Sequence, residues 1–94
     1  MPDSHIETRD VRLRRMTMRS MRRGIKEMDI ILTRFAQTEL AGLSAQSLDL
    51  YDAILEENDQ DLYQWVTGQV PAPARFSDLI RDIAARSGAS GATK

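Results

Sequence analysis

The sequence predicts an all-α fold, a compact bundle of about five short helices in a single domain. Apolar residues recur at spacings of three and four along most of the 94-residue chain, which is the period of an amphipathic helix. No stretch shows a sustained two-residue alternation rich in β-branched residues, so strands are not expected. Glycine and proline interrupt the helical stretches at short intervals. We therefore expect short helices joined by tight turns.

The first two predicted helices meet at a corner. The first spans about Thr8 to Met21, and the second spans about Ile25 to Leu40. The corner is placed at 22–24, because Gly24 interrupts good helix formers and a glycine can adopt the left-handed conformation that ends a helix. The apolar positions of the first helix are Val11, Leu13, Met16, Met18 and Met21; those of the second include Ile25, Met28, Leu32 and Phe35.

Capping residues delimit the third and fourth helices. Ser44 is expected to cap the third helix, which ends near Glu57. Asn58 or Asp59 is expected to cap the fourth, where acidic residues favour the positive end of the helix dipole. Gly68 is expected to close it.

The last predicted helix follows a proline-containing linker. Residues 70–73 cannot continue a helix, because proline lacks the backbone donor. The helix at 74–87 has the clearest apolar stripe of the chain, formed by Phe76, Leu79, Ile80, Ile83 and Ala84. We predict a helical domain at 8–87, a flexible N-terminus at 1–7 and a disordered Gly/Ser-rich tail at 88–94.

The composition argues against several classes of function. There is no cysteine, and the one histidine, His5, falls in the predicted flexible N-terminus, so we expect no metal site and no catalytic constellation. No glycine-rich phosphate-binding motif occurs, so no stably bound cofactor is expected. Because no apolar run approaches a membrane span and the N-terminus lacks signal-peptide features, we expect a cytoplasmic protein that does not insert into membranes.

Arginine is concentrated near the N-terminus. Residues 1–26 carry eight basic and three acidic side chains, whereas residues 27–94 carry five basic and eleven acidic ones. One hypothesis is therefore a small nucleic-acid-binding module whose first helix contacts phosphates. The pI of about 5.7 and the acidic later helices argue against it. Its candidate residues are Arg9, Arg12, Arg14, Arg15, Arg19, Arg22 and Arg23.

The corner itself is a candidate binding site for a protein partner. It holds two guanidinium groups, a glycine and two carboxylates within eight residues, namely Arg22, Arg23, Gly24, Glu27 and Asp29. Arginine binds carboxylates and carbonyls bidentately, and glycine lets another backbone approach closely. The alternative is purely local: Arg23 and Glu27 are four residues apart and would form a weak surface pair, with Gly24 acting only as a cap.

Two motifs resemble one protein family. The string RRGIKEMD contains the RGxxE motif, followed by Asp, of the succinate dehydrogenase flavinylation factors. The segment Ile54 to Trp65 is similar to the second signature of that family, an acidic turn after Leu-Glu, then Asp-Leu, two residues and Trp. The resemblance covers about Leu13 to Trp65.

The resemblance implies a five-helix assembly factor that is not an enzyme. Such a factor binds the flavoprotein subunit of succinate dehydrogenase and promotes its covalent attachment to FAD, with the FAD carried by that subunit. The flavoprotein subunit of fumarate reductase is an additional candidate partner. By this resemblance Arg23, Gly24 and Glu27 form the centre of the contact, with Arg22 and Asp29 beside them. Leu55 and Trp65 are assigned to the core, although an exposed Trp65 would suit an interface anchor.

Overall fold

The computed structural model describes residues 7–87, and this part of the chain consists of five α-helices and contains no strand. The predicted all-α bundle is confirmed. His5 and the predicted tail at 88–94 lie outside the described residues, as does most of the predicted N-terminal segment. The helices are α1 (Arg9–Ser20), α2 (Lys26–Glu39), α3 (Ala45–Leu55), α4 (Asp59–Thr67) and α5 (Ala74–Ser87), with a 3₁₀ turn at Leu40–Gly42 after α2.

Side-chain caps begin three of the helices. Thr8, Ser44 and Asn58 each accept a hydrogen bond from a backbone N–H in the first turn of the helix that follows, at 2.7 to 3.1 Å. Gly68 ends α4 in the left-handed conformation, with φ of 84°. The caps predicted at Ser44, Asn58 and Gly68 are confirmed, because each residue supplies the acceptor or the backbone freedom that its helix end requires.

Gly24 does not adopt the left-handed conformation that the sequence suggested. Gly68 has the one positive φ among the described residues, so the expected backbone role of Gly24 is wrong. The backbone N–H groups of Met21 and Arg22 instead close the end of α1 by bonding to carbonyls of its last turn. The chain then passes through an extended Ile25 into α2 without needing a left-handed residue.

α2 is the central helix and contacts α1, α4 and α5. Its face toward these helices carries Met28, Leu32 and Phe35, each at most 1% exposed. The core as a whole consists of Met16, Met28, Ile31, Leu32, Phe35, Ala36, Leu40, Leu48, Tyr51, Ile54, Leu55, Leu62, Val66, Phe76, Leu79, Ile80, Ile83 and Ala84. These apolar side chains drive the packing of all five helices.

α1 contributes less to the core than its apolar content suggested. Met16 is fully buried and Leu13 is partly buried, but Val11, Met18 and Met21 are 46 to 48% exposed. α1 lies at the edge of the bundle, so only one side of it faces the core. Three of the five large apolar residues predicted for this helix therefore remain at the surface.

The two residues assigned to the core from the second signature differ in burial. Leu55 is fully packed, as expected. Trp65 is only partly buried, and its ring packs against Phe76 with 6.1 Å between the ring centroids. The core assignment thus holds for Leu55 and holds in part for Trp65.

A buried pair of hydroxyls ties α1 to α3. The hydroxyl oxygens of Ser20 and Tyr51 lie 2.6 Å apart, and both residues are fully buried. The Ser20 hydroxyl also donates to the Met16 carbonyl at 2.8 Å. Burial raises the pKa of Tyr51 to about 12, because the phenolate would lose its hydration.

Candidate partner-binding site

The guanidinium of Arg23 faces inward, toward the turn between α3 and α4. Its Nε donates to Asp59 Oδ1 at 2.6 Å, and its other two nitrogens donate to the carbonyls of Leu55 and Glu57 at 2.8 and 2.9 Å. Only 9% of the Arg23 side chain is exposed. The cation thus satisfies carbonyls at the C-terminal end of α3, where a positive charge is favourable.

Asp59 accepts hydrogen bonds from both Arg23 and Gly24 of the RGxxE motif. One carboxylate oxygen accepts from Arg23, and the other accepts from the backbone N–H of Gly24 at 2.5 Å. A Cβ at Gly24 would lie 3.1 Å from this second oxygen, which is tighter than an ordinary contact. A side chain at this position would push the Asp59 carboxylate away by a few tenths of an ångström, so the contact favours glycine through space and not through backbone conformation. We call the arrangement of Arg23, Gly24 and Asp59 the corner clamp.

Sequence reasoning missed the role of Asp59. The sequence predicted this residue only as a candidate cap and an acidic residue of the first turn of α4. The structure places it in that first turn, with Asn58 as the cap, and with its side chain directed at a corner 35 residues earlier in the chain. No local spacing rule connects the two positions. The sequence held one weak indication of this contact: Arg23 belongs to the first motif shared with the family, and Asp59 belongs to the second.

Arg22 and Glu27 of the predicted site lie at the surface. Both residues are exposed, and neither side chain has an ion-pair partner within residues 7–87. The local pair between Arg23 and Glu27 is not formed, because Arg23 turns to Asp59 instead. Asp29 is partly buried and accepts a hydrogen bond from Thr33 at 3.2 Å.

Four of the five predicted site residues divide into two groups. Arg23 and Gly24 are bonded to Asp59 in the corner clamp, whereas the side chains of Arg22 and Glu27 are exposed. Asp29 is intermediate between the two groups. Their binding of a partner stays a prediction.

An exposed isoleucine extends the site along α2. Ile30 is 49% exposed and lies one turn after Glu27. It forms part of two shallow surface grooves, one of about 250 Å³ that includes Glu27 and Tyr63, and one of about 480 Å³ that includes Met21 and Asp29. No role was predicted for Ile30, although its place outside the apolar stripe of α2 indicated an exposed position. An exposed apolar side chain beside unpaired charges is typical of a protein contact.

A row of ion pairs fastens α1 to α3. The closest contacts join Arg12 to Asp49 at 2.6 Å, Arg15 to Asp52 at 2.9 Å and Arg19 to Glu56 at 2.7 Å. The residues of each helix follow one another at spacings of three and four, so both rows lie on facing sides. We call this arrangement the arginine ladder, and the Arg23–Asp59 pair continues it at the corner.

Arg15 is the most strongly engaged member of the ladder. It donates to Asp52 and also to Glu7, the first described residue, at 2.7 Å. Hydrogen bonds from Arg15 hold the pKa of Asp52 and that of Glu7 below their ordinary values. The same bonds, chiefly the one to Asp52, raise the pKa of Arg15. All three side chains are therefore charged near neutral pH.

The ladder removes most of the basis for nucleic-acid binding by the first helix. Four of the seven candidate arginines are ion-paired, and a fifth, Arg9, donates to the carbonyls of Ala41 and Leu43 at 2.9 and 2.8 Å. Within residues 7–87, only Arg14 and Arg22 of this set have no such partner. Phosphate binding by the four ion-paired arginines would have to displace their carboxylates, because those charges are already neutralised.

The described chain offers no metal centre and no membrane span. Among residues 7–87, no group of three or more His, Cys, Asp and Glu side chains is placed to hold a metal ion. In the same part of the chain, no helix has the length and apolar content needed to cross a bilayer.

Comparison with known proteins identifies relatives over most of the chain. A family model described as "Flavinator of succinate dehydrogenase" matches residues 14–87. The protein named "Succinate dehydrogenase assembly factor 2, mitochondrial" from Meyerozyma guilliermondii is 43% identical over 75 residues, covering 77% of this chain and 56% of the relative. The protein of the same name from Debaryomyces hansenii is 46% identical over 61 residues, covering 65% of this chain and 43% of the relative.

A more distant relative aligns over more of the chain. The protein of the same name from Schizosaccharomyces pombe is 37% identical over 79 residues, covering 82% of this chain and 57% of the relative. This chain thus spans about half the length of the relatives it matches. The matched region contains the corner clamp, the exposed part of the corner and four of the five helices in full.

Proposed function

Because the chain belongs to the family of succinate dehydrogenase flavinators, we propose that it binds the flavoprotein subunit of succinate dehydrogenase and promotes covalent attachment of FAD to that subunit. The observation that carries this proposal is the match of the family model across residues 14–87. The flavoprotein subunit of fumarate reductase is a second candidate for the same role.

The exposed part of the corner is the proposed centre of the contact. Glu27 and Arg22 are exposed and have no ion-pair partner in the described part of the chain. Glu27 offers its carboxylate to a cationic group of the partner, and Arg22 offers its guanidinium to a carboxylate or carbonyl. Ile30 adds an apolar contact one turn away from Glu27. Burying these groups together against a partner would strengthen each charged contact, because water is excluded from it.

The proposed function of the corner clamp is to keep this surface rigid. The clamp fixes the backbone at Gly24 and the direction in which α2 leaves the corner, so Glu27 and Ile30 keep one spacing relative to Arg22. A surface that is ordered before binding loses little conformational entropy when the partner docks. A rigid contact can also hold a mobile part of the partner in the orientation that its reaction needs.

We further propose that the attachment chemistry belongs to the partner and that this chain is not an enzyme. The exposed groups at the corner include the Glu27 carboxylate, the Arg22 guanidinium and the Ile30 side chain, which suit recognition of a protein surface. On this proposal the FAD is held by the flavoprotein subunit, and the chain alone binds no flavin tightly. Titration of FAD against the purified chain, followed by flavin fluorescence, tests this division of roles; submicromolar affinity would contradict it.

The proposed cellular location of the chain is that of its proposed partner. We propose that the chain acts where the flavoprotein subunit receives its FAD. The relatives are mitochondrial by name, and the cytoplasmic location expected from the sequence stays a prediction for this chain. Fractionation of the source cells, with antibodies against the chain and the flavoprotein subunit, decides between a mitochondrial and a cytoplasmic location.

The direct test is a flavinylation reaction with purified components. Apo-flavoprotein and FAD are incubated with and without the chain, and the covalent product is measured by in-gel flavin fluorescence after denaturation. We expect the chain to increase the rate of covalent attachment and to be recovered without flavin. Equal rates with and without the chain would refute the proposed function.

A further inference from the structure

The arginines of α1 divide between two sides of the helix. Those of the arginine ladder face α3 and are neutralised by carboxylates. On the outward side, Val11, Arg14 and Met18 follow at spacings of three and four, which places them on one face of the helix. We call these three residues, together with Arg22 just beyond the helix end, the outer stripe.

The outer stripe alternates apolar and positively charged side chains along the helix. Val11 is 46% and Met18 is 48% exposed, and both line a shallow groove of about 460 Å³. Every charged residue that lines this groove is an arginine, namely Arg14, Arg15, Arg19 and Arg22. The ladder engages Arg15 and Arg19, so among the residues that the structure describes, the groove charges without a carboxylate partner are those of Arg14 and Arg22.

We propose that the outer stripe is a second docking surface for the flavoprotein subunit and that it binds an acidic amphipathic segment of that subunit. Apolar side chains of the segment would pack on Val11 and Met18, and its carboxylates would pair with Arg14 and Arg22. This proposal rests on the proposed function. Arg22 joins the outer stripe to the corner, so one partner can cover both surfaces continuously.

Charge and spacing favour a protein segment over other anionic partners. The row from Val11 to Met18 spans about 10 Å of helix at 1.5 Å per residue, which matches two turns of a partner helix. Methionine has a flexible and polarisable side chain that adapts to a partner surface. A nucleic acid would need a denser set of unpaired cations than Arg14 and Arg22. Binding to a membrane surface would favour large apolar or aromatic residues, and α1 contains no aromatic side chain.

The test compares substitutions in the outer stripe with the same substitutions elsewhere. Arg14→Glu and Met18→Glu reverse or introduce charge at the stripe. Arg81→Glu and Val70→Glu make the same kinds of change at exposed positions of α5 and of the linker, away from α1. Affinity for the purified flavoprotein subunit is measured by isothermal titration calorimetry, and folding is checked by circular dichroism. Arg14→Gln serves as a milder variant that removes the charge without reversing it.

We expect each glutamate substitution in the stripe to raise the Kd for the flavoprotein at least about tenfold, whereas the two control variants bind as wild type. Affinity of the wild-type chain should fall as salt rises, and the dependence should be weaker in Arg14→Gln, because one cation is lost. If the stripe variants bind as the controls do while Glu27→Gln weakens binding, the outer stripe is not a docking surface, and the proposed function stands.

Two other outcomes also contradict the proposal. If the wild-type chain does not bind the flavoprotein at all, both the proposed function and the partner proposed for the stripe are wrong. If the stripe variants keep their affinity for the flavoprotein but lose binding to phosphatidylglycerol vesicles or to RNA, the occupant of the stripe is an anionic surface of another kind.

Discussion

Asp59→Ala is expected to destabilise the fold through the corner clamp. The substitution removes the acceptor of Arg23 Nε at 2.6 Å and the acceptor of the Gly24 N–H. Gly24 is exposed, so water can replace its lost bond at little cost. Arg23 is only 9% exposed, and its guanidinium would keep two carbonyl partners but lose its counter-charge.

The cost follows from the burial of this ion pair. Removing one partner of a fully buried pair costs roughly 3–5 kcal/mol, and losing a hydrogen bond to a charged group costs about 1.5–3 kcal/mol. Because Asp59 itself is 16% exposed and Arg23 keeps two bonds, we expect a loss of about 2–3 kcal/mol in the free energy of unfolding. For a domain of this size that corresponds to a fall in Tm of roughly 10–20 °C.

Asp61→Ala is the matched control for this measurement. Asp61 also lies in the first turn of α4, so its loss removes the same favourable interaction with the helix dipole, roughly 0.3–1 kcal/mol, without touching the clamp. Urea unfolding followed by circular dichroism gives the free energies of both variants. Equal destabilisation by the two substitutions would show that Asp59 acts only through the helix end and would refute the clamp.

Three further predictions concern other parts of the bundle. The pKa of Asp52 lies below its ordinary value of 3.8, so the ion pairs of Asp52 stabilise the fold above pH 3.8 and this stabilisation is lost as the pH falls further. Asp52→Asn should therefore reduce the dependence of the unfolding free energy on pH between roughly pH 5 and pH 2. An unchanged dependence would contradict the contribution of the arginine ladder. Tyr51→Phe should cost about 1 kcal/mol in urea unfolding, because a buried hydroxyl pair is broken, and no loss would show that the pair contributes nothing. Gly24→Ala should destabilise the protein less than Asp59→Ala does, because the new Cβ displaces the Asp59 carboxylate without removing it; a cost as large as that of Asp59→Ala would contradict this reasoning.

The helices were predictable because their signals are local. Apolar spacing located all five, and Ser44, Asn58 and Gly68 marked helix ends through interactions within four residues. The rotation of α1 was harder to predict. The loose apolar pattern of α1 did not decide which of its residues face the core. The side of α1 that faces α3 carries arginines that pair with residues more than thirty positions away.

The candidate site shows the same division between local and distant information. The motif located the corner, but the i, i+4 rule suggested that Arg23 would pair with Glu27. The observed partner, Asp59, is 36 residues away. Arg23 pairs with Asp59 instead of Glu27, because the Asp59 carboxylate binds the guanidinium in a partly buried position. Within residues 7–87, that pairing also leaves the Glu27 carboxylate without an ion-pair partner. Local spacing therefore grouped the residues of the candidate site but could not separate the inward-facing Arg23 from the exposed Arg22 and Glu27.

The most direct test of the account compares Glu27→Gln with Asp61→Asn in the flavinylation reaction. Each change removes one exposed carboxylate from the first turn of a helix, so both have similar small effects on stability. At matched concentrations of folded protein, we expect Glu27→Gln to weaken binding of the flavoprotein subunit and to slow covalent FAD attachment at least tenfold, roughly the effect of losing one central charged contact. Asp61→Asn should behave as wild type. Wild-type binding and flavinylation with Glu27→Gln would contradict the claim that the exposed corner is the site at which this chain holds its partner.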